Sequence, residues 1–417
     1  MKRILFCAIA LILSYSAYSQ PQETYKGWKK GELDIHFIYT GRGEATLYIF
    51  PDGTSMLVDA GDHQASVPMT YPKPDLSRRG GEWVARYIER VNPAGHEVDY
   101  MMLSHFHSDH SGSVTLDAPT TKGRTPDYKL VGIADVGETI RFKNFIDRGF
   151  PNYNYPTPIN DIHTENYKNF VRWQKQMFGA KQEAFKVGAK NQIKLQKQPA
   201  KYAKLFSIQN IAANGEIWNG DEQGSTTRYY DLHADNTKNS GNENTKSIAF
   251  RIDYGPFSYF AGGDISHGVK GADGKNINLE AKAGEACGEV DVCKCNHHAY
   301  KDAMHPDFLK HINAQVYINP VWDQYHTQPD IISRILNQEE YFHKPNSAPT
   351  IYLTQCIVDE ARQTHNNTEW MKRIDPYNGH IVVKVYNKGR KYKIYRLSAD
   401  DEEMKVQAVY GPFKSKE

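Results

Sequence analysis

Apolar and polar residues alternate along Leu33-Asp34-Ile35-His36-Phe37-Ile38-Tyr39, a period of two that predicts a half-buried β-strand. Residues 46–50 and 55–59 share that character. Pro51-Asp52-Gly53 between them supplies the residues of a tight turn, so the pair predicts a hairpin. From 82 to 91 the period changes. Trp83, Tyr87, Ile88 and Val91 recur at helical spacing and predict a helix with one apolar face. Residues 98–104 predict a short apolar strand, with a histidine cluster directly after it. Further on, 247–254 and 258–261 predict a second hairpin ending at Gly262-Gly263-Asp264, and 290–295 a strand ending at His297-His298. Residues 316–319, 350–353, 380–386 and 392–397 predict late strands, the last two paired across Asn387-Lys388-Gly389. Between 119 and about 227 the pattern loosens. A Pro/Tyr/Asn-rich loop at 151–158 precedes a stretch, 165–198, that predicts helix, and short strands then return. No repeat unit recurs. Strands alternating with helices predict an α/β (α+β) protein with sheets layered against helices.

With 417 residues, 39% hydrophobic and 24% charged, the chain has the composition of a globular protein with a sizeable core, which excludes disordered and fibrous classes. The formal net charge of +2 predicts no whole-molecule attraction to nucleic acid or membrane, so any electrostatic preference is local. The first residues differ from the rest. Lys2 and Arg3 precede an apolar run at 4–13, and Ala17 and Ser19 flank Tyr18, the pattern of a signal peptide cleaved after Ser19. The run is short of the roughly 20 residues that span a bilayer, and no later run is long enough. Residues 1–19 are therefore expected to leave, and 20–417 to form one domain with no transmembrane span, secreted or periplasmic. Of the thiols that remain, Cys287, Cys293, Cys295 and Cys356 lack zinc-ribbon spacing, which leaves buried thiols or a single bridge as the open readings.

Three polar clusters each follow a predicted strand: His105, His107, Asp109 and His110; then Asp264; then His297 and His298. Imidazole and carboxylate are the donors that divalent transition metals accept in hydrolytic sites, and a pair of ions needs several of them. The run His105-Phe106-His107-Ser108-Asp109-His110 gathers three of the chain's 17 histidines with an aspartate, more than a solvated turn requires. Residues 105 and 107 can face one ion while Asp109 and His110 turn toward a second.

That run, with Leu57-Val58-Asp59-Ala60-Gly61-Asp62 and Phe260-Ala261-Gly262-Gly263-Asp264, resembles the successive motifs of the metallo-β-lactamase superfamily. The likeness is above all to the soluble hydrolase domain of the competence protein ComEC and its stand-alone exported relatives. Asn244-Thr245-Lys246-Ser247, His297-His298, Tyr325-His326 before a predicted helix at 329–336, and Asn378-Gly379-His380 extend it from about residue 33 to 385. The resemblance implies a four-layer αββα sandwich with a helical, lysine-rich insertion at about 119–227. It also implies two divalent metal ions, Zn2+ by donor type, with Mn2+ or Fe compatible with the same donors.

Carried over residue by residue, it implies one ion on His105, His107 and an upstream histidine, a second on Asp109, His110 and one of the late pair, and Asp264 bridging. For the upstream ligand the match is His233, in Asp231-Leu232-His233-Ala234-Asp235, whose spacing to Asp264 is similar to that in choline-phosphate esterases of the superfamily. By the same similarity His298 binds metal and His297 hydrogen-bonds the substrate, with the reverse assignment open. Asp59 is expected to fix the surrounding loops, and His326 to line the pocket or support it from behind. Where the family has glycine after the histidine pair, this chain has Ala299-Tyr300.

The implied chemistry is attack by a metal-bound hydroxide, oriented by Asp109, on a phosphorus or carbonyl centre, with His297 or a second water protonating the leaving group. Phosphoester hydrolysis (phosphodiesterase or nuclease-like) leads. Amide or ester hydrolysis, including β-lactam or lactone opening, is the alternative enzyme reading, and a non-catalytic binding module that kept the fold is the reading of another class. The expected partner is an anionic small molecule or polymer, nucleic acid included. No Gly-x-Ser-x-Gly elbow or Walker loop suggests another mechanism. Between 166 and 204, ten Lys/Arg face one acid, Glu183, and Lys186, Lys190, Lys194 and Lys197 recur at helical steps. Either they form a solvated helix face or an anion-attracting rim beside the metal site.

Overall fold

The computed structural model describes residues 23–63, 71–190, 192–229, 242–270, 275–323, 326, 328–336, 350–356 and 375–416. The expected leader at 1–19 and His233 lie outside the described residues. The chain lays down β1 (Leu33–Phe37), β2 (Thr46–Ile49), β3 (Ser55–Val58), helix α1 (Gly80–Val91), β4 (Glu97–Met102) and the single turn α2 (Ser108–Ser111). Then come α3 (Gly132–Val136), β5 (Arg141–Asp147), α4 (Ile162–Phe178), β6 (Lys181–Ala184) and α5 (Pro199–Tyr202). Strands β7 (Phe206–Ala213), β8 (Glu216–Trp218), β9 (Thr226–Arg228), β10 (Ala249–Tyr254) and β11 (Phe257–Ala261) follow. A small ribbon, β12 (Val269–Lys270) with β13 (Asn276–Ile277), precedes α6 (Leu279–Cys287), β14 (Val292–Lys294), α7 (Pro306–Ile312), β15 (Val316–Asn319), α8 (Pro329–Leu336) and β16 (Ile351–Thr354). The last strands are β17 (His380–Tyr386), β18 (Lys391–Leu397) and β19 (Val406–Lys414).

One sheet runs β19-β18-β17-β1-β2-β3-β4-β5-β6, the other β16-β15-β14-β11-β10-β7-β8-β9. Their facing surfaces share a core, in which Ile35, Tyr48, Met56 and Tyr100 of the first meet Ile208, Phe250, Tyr259 and Val292 of the second. The first sheet's outer face (Leu47, Leu57, Met101, Phe145) packs on Val84 and Ile88 of α1, Ile133 of α3 and Phe170 of α4. The second sheet's outer face (Phe260, Cys293, Tyr317) packs on Leu279 of α6, Phe308 of α7 and Ile332 of α8. Helices, sheet, sheet, helices: this is the expected four-layer αββα sandwich, an α+β architecture. Strands such as β2 are apolar on both faces because both are covered.

The stretch 119–227 differs from the helical insertion expected. It is woven into both sheets as β5, β6, β7, β8 and β9, and its long helix ends at Phe178. Gly179 terminates that helix in the left-handed conformation. Beyond it, Phe185, Ile193 and Leu195 are drawn into the core between the sheets. Burying those residues needs an extended path, and it outweighs the helical spacing of the lysines. The four cysteines among the described residues, Cys287, Cys293, Cys295 and Cys356, are free and buried, with no bridge between them. No helix among the described residues is long and apolar enough to cross a membrane.

β3, β4 and β5 are mutually parallel, as are β11, β14, β15 and β16. Asp59, His105, Asp264, His298 and Pro320 lie just beyond the C-terminal ends of β3, β4, β11, β14 and β15. In parallel sheets, that edge is where loops converge to build sites.

Candidate metal centre

The loop after β4 is fixed from beneath. Ala60 N donates to His110 O at 3.0 Å, Glu44 N to Asp109 O at 2.9 Å, and Gly61 N to Glu44 O at 2.9 Å. Gly61 is required here, because a Cβ at that position would sit 1.6 Å from Asp109 O. The Asp59 carboxylate accepts from Ser104 N at 2.7 Å and Ser104 Oγ at 2.6 Å, and lies 2.8 Å from His110 Nδ1.

Each of three buried imidazoles therefore has its outer nitrogen engaged: His105 Nδ1 with Ser104 Oγ at 3.1 Å, His110 Nδ1 with Asp59, and His298 Nδ1 with Pro320 O at 2.8 Å. Such contacts fix ring orientation and aim the other nitrogen. All three Nε2 atoms aim at one oxygen, Asp264 Oδ2, at 3.7 Å from His105, 3.1 Å from His110 and 3.2 Å from His298. His107 Nδ1 is 3.1 Å from His105 Nε2, on the His105 side. Asp109 Oδ2 is 3.6 Å from His110 Nε2 and 3.5 Å from His298 Nε2, on the other.

Hydrogen bonding does not account for this arrangement. Among the described residues, Asp264 Oδ1 is buried without a partner, and His298 Nε2 has no directed hydrogen bond despite its proximity to Asp264. Burial would lower the His298 pKa, but Asp264, Asp109 and Glu44 outweigh it and hold the group up at about 10. For His110, burial is likewise overcome by Asp264, Asp109 and Asp59, which raise it well above its ordinary value. Burial opposes ionisation of Asp264 and Asp109, yet the facing histidines keep both well below the usual carboxylate range. A cluster with this surplus of anionic donors fits a divalent cation. Glu44, His110, Asp264 and His298 form a group able to hold a metal, each offering a donor atom within 4.8 Å of the others.

Glu44 was not anticipated. Its Oε2 lies 3.0 Å from Lys294 Nζ and 3.6 Å from His298 Nδ1, with Lys294 also donating to Gly263 O at 2.8 Å. Glu44 sits in a short loop between two strands with no spacing signal. Lys294 did carry one: a lysine inside the apolar run Val292-Cys293-Lys294-Cys295 needs a buried counter-charge.

The remaining expected residues form the rim. His107, Asp109 and His297 are partly exposed, whereas His105, His110, Asp264 and His298 are buried. His297 Nδ1 is 2.5 Å from Asp302 Oδ1, and its Nε2 is 3.1 Å from Asn244 Nδ2. His297, His298 and Ala299 all have positive φ (43°, 51° and 58°), a backbone that non-glycine residues adopt at a cost of order 1 kcal/mol each. Glu280 holds this turn by accepting from Asn296 Nδ2 at 2.9 Å, Met304 N at 2.6 Å and His305 N at 2.9 Å. His326 stands behind His298, ring centres 5.5 Å apart, and its Nδ1 is 3.0 Å from an Asp323 carboxylate oxygen. Trp322 fills the space between, 4.8 Å from each ring.

No protein-family model matches the chain, and no curated protein matches it. Among solved structures it is similar to a variant of CmlA beta-hydroxylase, at 10% identity and a TM-score of 0.32, over 69% of this chain and 45% of that one. The chain thus spans under half the length of that protein. So remote a likeness carries no argument, and the fold rests on the order of its layers.

Proposed function

We propose that the chain is an exported, dinuclear metal-dependent hydrolase of phosphoesters, with phosphodiesterase or nuclease-like chemistry. What carries the reading is the convergence of three imidazole Nε2 atoms on a single oxygen of Asp264, with every outer nitrogen already engaged. In this reading His105 and His107, with His233 from outside the described residues, would hold one ion, Asp109, His110 and His298 would hold a second, and Asp264 would contribute to both. Zn2+ suits the donors, and Mn2+ or Fe is accepted by the same set. When bound, such a pair supplies Lewis acidity toward a phosphoryl oxygen and lowers the pKa of water toward neutrality.

The chain's own residues do the rest. Asp109, on the open side, accepts a hydrogen bond from the attacking water and orients it. His297, steadied by Asp302, hydrogen-bonds the substrate oxygen from the opposite rim, next to the Asn244 amide. Asp59 holds His110 in the tautomer that leaves Nε2 free. The buried wall of Trp322 and His298 keeps bulk water from the inner side. The donors at the rim, His297 and the Asn244 amide, together with the cations the floor would hold, would suit an anionic substrate, which favours a phosphoester over a neutral amide. Export rests on the basic, apolar and small-residue pattern of residues 1–19.

Metal analysis of the purified chain, combined with turnover of bis-p-nitrophenyl phosphate, single-stranded DNA, p-nitrophenyl phosphorylcholine and nitrocefin, tests the reading. The expected result is bound metal with turnover of a phosphodiester that a chelator abolishes. Turnover of nitrocefin alone refutes the phosphoester reading, and no metal with no turnover makes the chain a binding module. N-terminal sequencing of exported material should begin at Gln20.

A further inference from the structure

The lysines that sequence periodicity had placed on a helix instead gather in one concavity. It has a volume of about 570 Å3, and Lys181, Lys186, Lys190 and Lys194 line it together with Glu183 and Tyr100. All four lysines are exposed, and among the described residues only Lys186 is paired, with Glu183 at 3.3 Å. The floor is the row Tyr100, Asn144, Lys181, which lie side by side on β4, β5 and β6. None of the residues that line it is among those that form the metal centre.

The backbone that carries these charges is held in place. Phe185, Ile193 and Leu195 anchor it in the core. The Gln192 side chain accepts from Lys186 N at 2.9 Å and donates to Ala184 O at 2.8 Å, and Asn210 Nδ2 donates to Lys186 O at 2.8 Å. Tyr100 Oη donates to Lys194 O at 2.9 Å. Binding here would order chiefly lysine side chains, because the described backbone on either side of them is anchored. Lysine on an edge strand also discourages strand pairing between molecules. That role explains Lys181 on edge strand β6 but not the three lysines on the loop beyond it. Tyr100 is the sole aromatic lining the concavity. It is buried and its hydroxyl is engaged, so no face is offered for a base to stack on. Recognition would be of charge alone.

We propose that this concavity is a second ligand site, for the phosphate groups of a polyphosphorylated ligand. Two sources share that chemistry: a compact polyphosphate anion, and the phosphodiester backbone of a single strand. The assignment does not depend on what the metal centre does.

The test is calorimetric titration of the full chain with tripolyphosphate and, separately, with a twelve-residue oligothymidylate at 50 and 200 mM salt. Both titrations are repeated with the double variants Lys190→Gln/Lys194→Gln and Lys122→Gln/Lys310→Gln, the second removing the same charge from exposed positions elsewhere. Expected are binding to the parent chain, at least tenfold weaker binding to the first variant, and binding within twofold of the parent for the second. Tripolyphosphate binding alone identifies the compact source. Oligothymidylate binding whose salt slope flattens by about 1.4 when two contacts are lost identifies the strand. Whatever turnover of a small chromogenic phosphodiester the parent shows, none included, should be equal in all three proteins. The proposal is overturned if neither probe binds at 50 mM salt, or if both variants lose affinity equally or not at all.

Discussion

Asp59→Asn isolates the role of a residue that touches no substrate. In the parent chain one carboxylate oxygen takes the Ser104 amide at 2.7 Å, and the other takes the Ser104 hydroxyl at 2.6 Å and His110 Nδ1 at 2.8 Å. Asparagine fills the same space and keeps an acceptor for Ser104 N. It turns a donor toward Ser104 Oγ and His110 Nδ1, however, and an N–H facing an N–H is repulsive. In the metal-free protein His110 relieves this by giving up its Nδ1 proton and keeping the one on Nε2, toward Asp264. A cation at Nε2 forces the remaining proton back to Nδ1, against the asparagine N–H, and the ring is no longer steered from behind. Outer-shell changes of this kind weaken metal affinity by about ten- to a hundredfold, or about 1.4–2.7 kcal/mol.

The assay is competition for zinc against a chromogenic chelator, with unfolding of the metal-free protein measured in parallel. The loss should appear in affinity, while the metal-free fold, which keeps the Ser104 amide contact, changes much less. Zinc affinity within twofold of the parent would refute the argument that Asp59 sets the His110 tautomer.

Three other changes follow from the same contacts. Gly61→Ala introduces a methyl group whose ideal position lies 1.6 Å from Asp109 O, so it should destabilise by about 3 kcal/mol and lower metal stoichiometry, read by urea unfolding and metal analysis. Asp375→Ala strands the buried Arg396 guanidinium, now held at 2.6 and 2.9 Å, and should cost about 3–5 kcal/mol in the same unfolding assay. Burial lifts the Glu280 carboxyl to about 7 despite hydrogen bonds from Asn296, His305 and Met304. Its folded pKa is above the unfolded value, so its contribution is full below about pH 4.5 and is lost as pH rises through 7. Glu280→Gln, neutral throughout, should therefore gain on the parent by up to about 3 kcal/mol between pH 4.5 and 8, and a pH-independent difference would contradict this.

Most of the strands were legible because both faces of each sheet are covered, which makes runs such as 46–50 and 316–319 apolar at nearly every position. The ends of β4, β11 and β14 were legible too, since histidine and aspartate just beyond an apolar strand have no packing role there. The lysine stretch misled because steps of three and four are only half of a helical argument. The other half is where the apolar residues fall, and Ile193 and Leu195 alternate with Lys194 and Gln196 as in a strand, buried against exposed. β19 was missed because it is half exposed at the edge of its sheet and carries Pro412 and Gly411.

Glu44 was illegible for a deeper reason. Its role depends on Lys294, far along the chain, and on the close approach of two loops at glycine positions, none of which leaves a local pattern. Yet the pair decides the electrostatics of the centre. Asp59, Asp264 and Glu44, with the partly exposed Asp109, bring four carboxylates to one edge, and the buried Lys294 answers them there through Glu44. The folded chain without a cation must hold the remaining negative charge against protonated histidines, which is why His110 and His298 are pushed up. A bound cation takes over that role and releases those protons, so metal affinity and fold stability draw on the same free energy. Removing Lys294 should therefore damage the metal-free protein more than the metal-bound one, whereas a purely structural lysine in a strand would affect both alike.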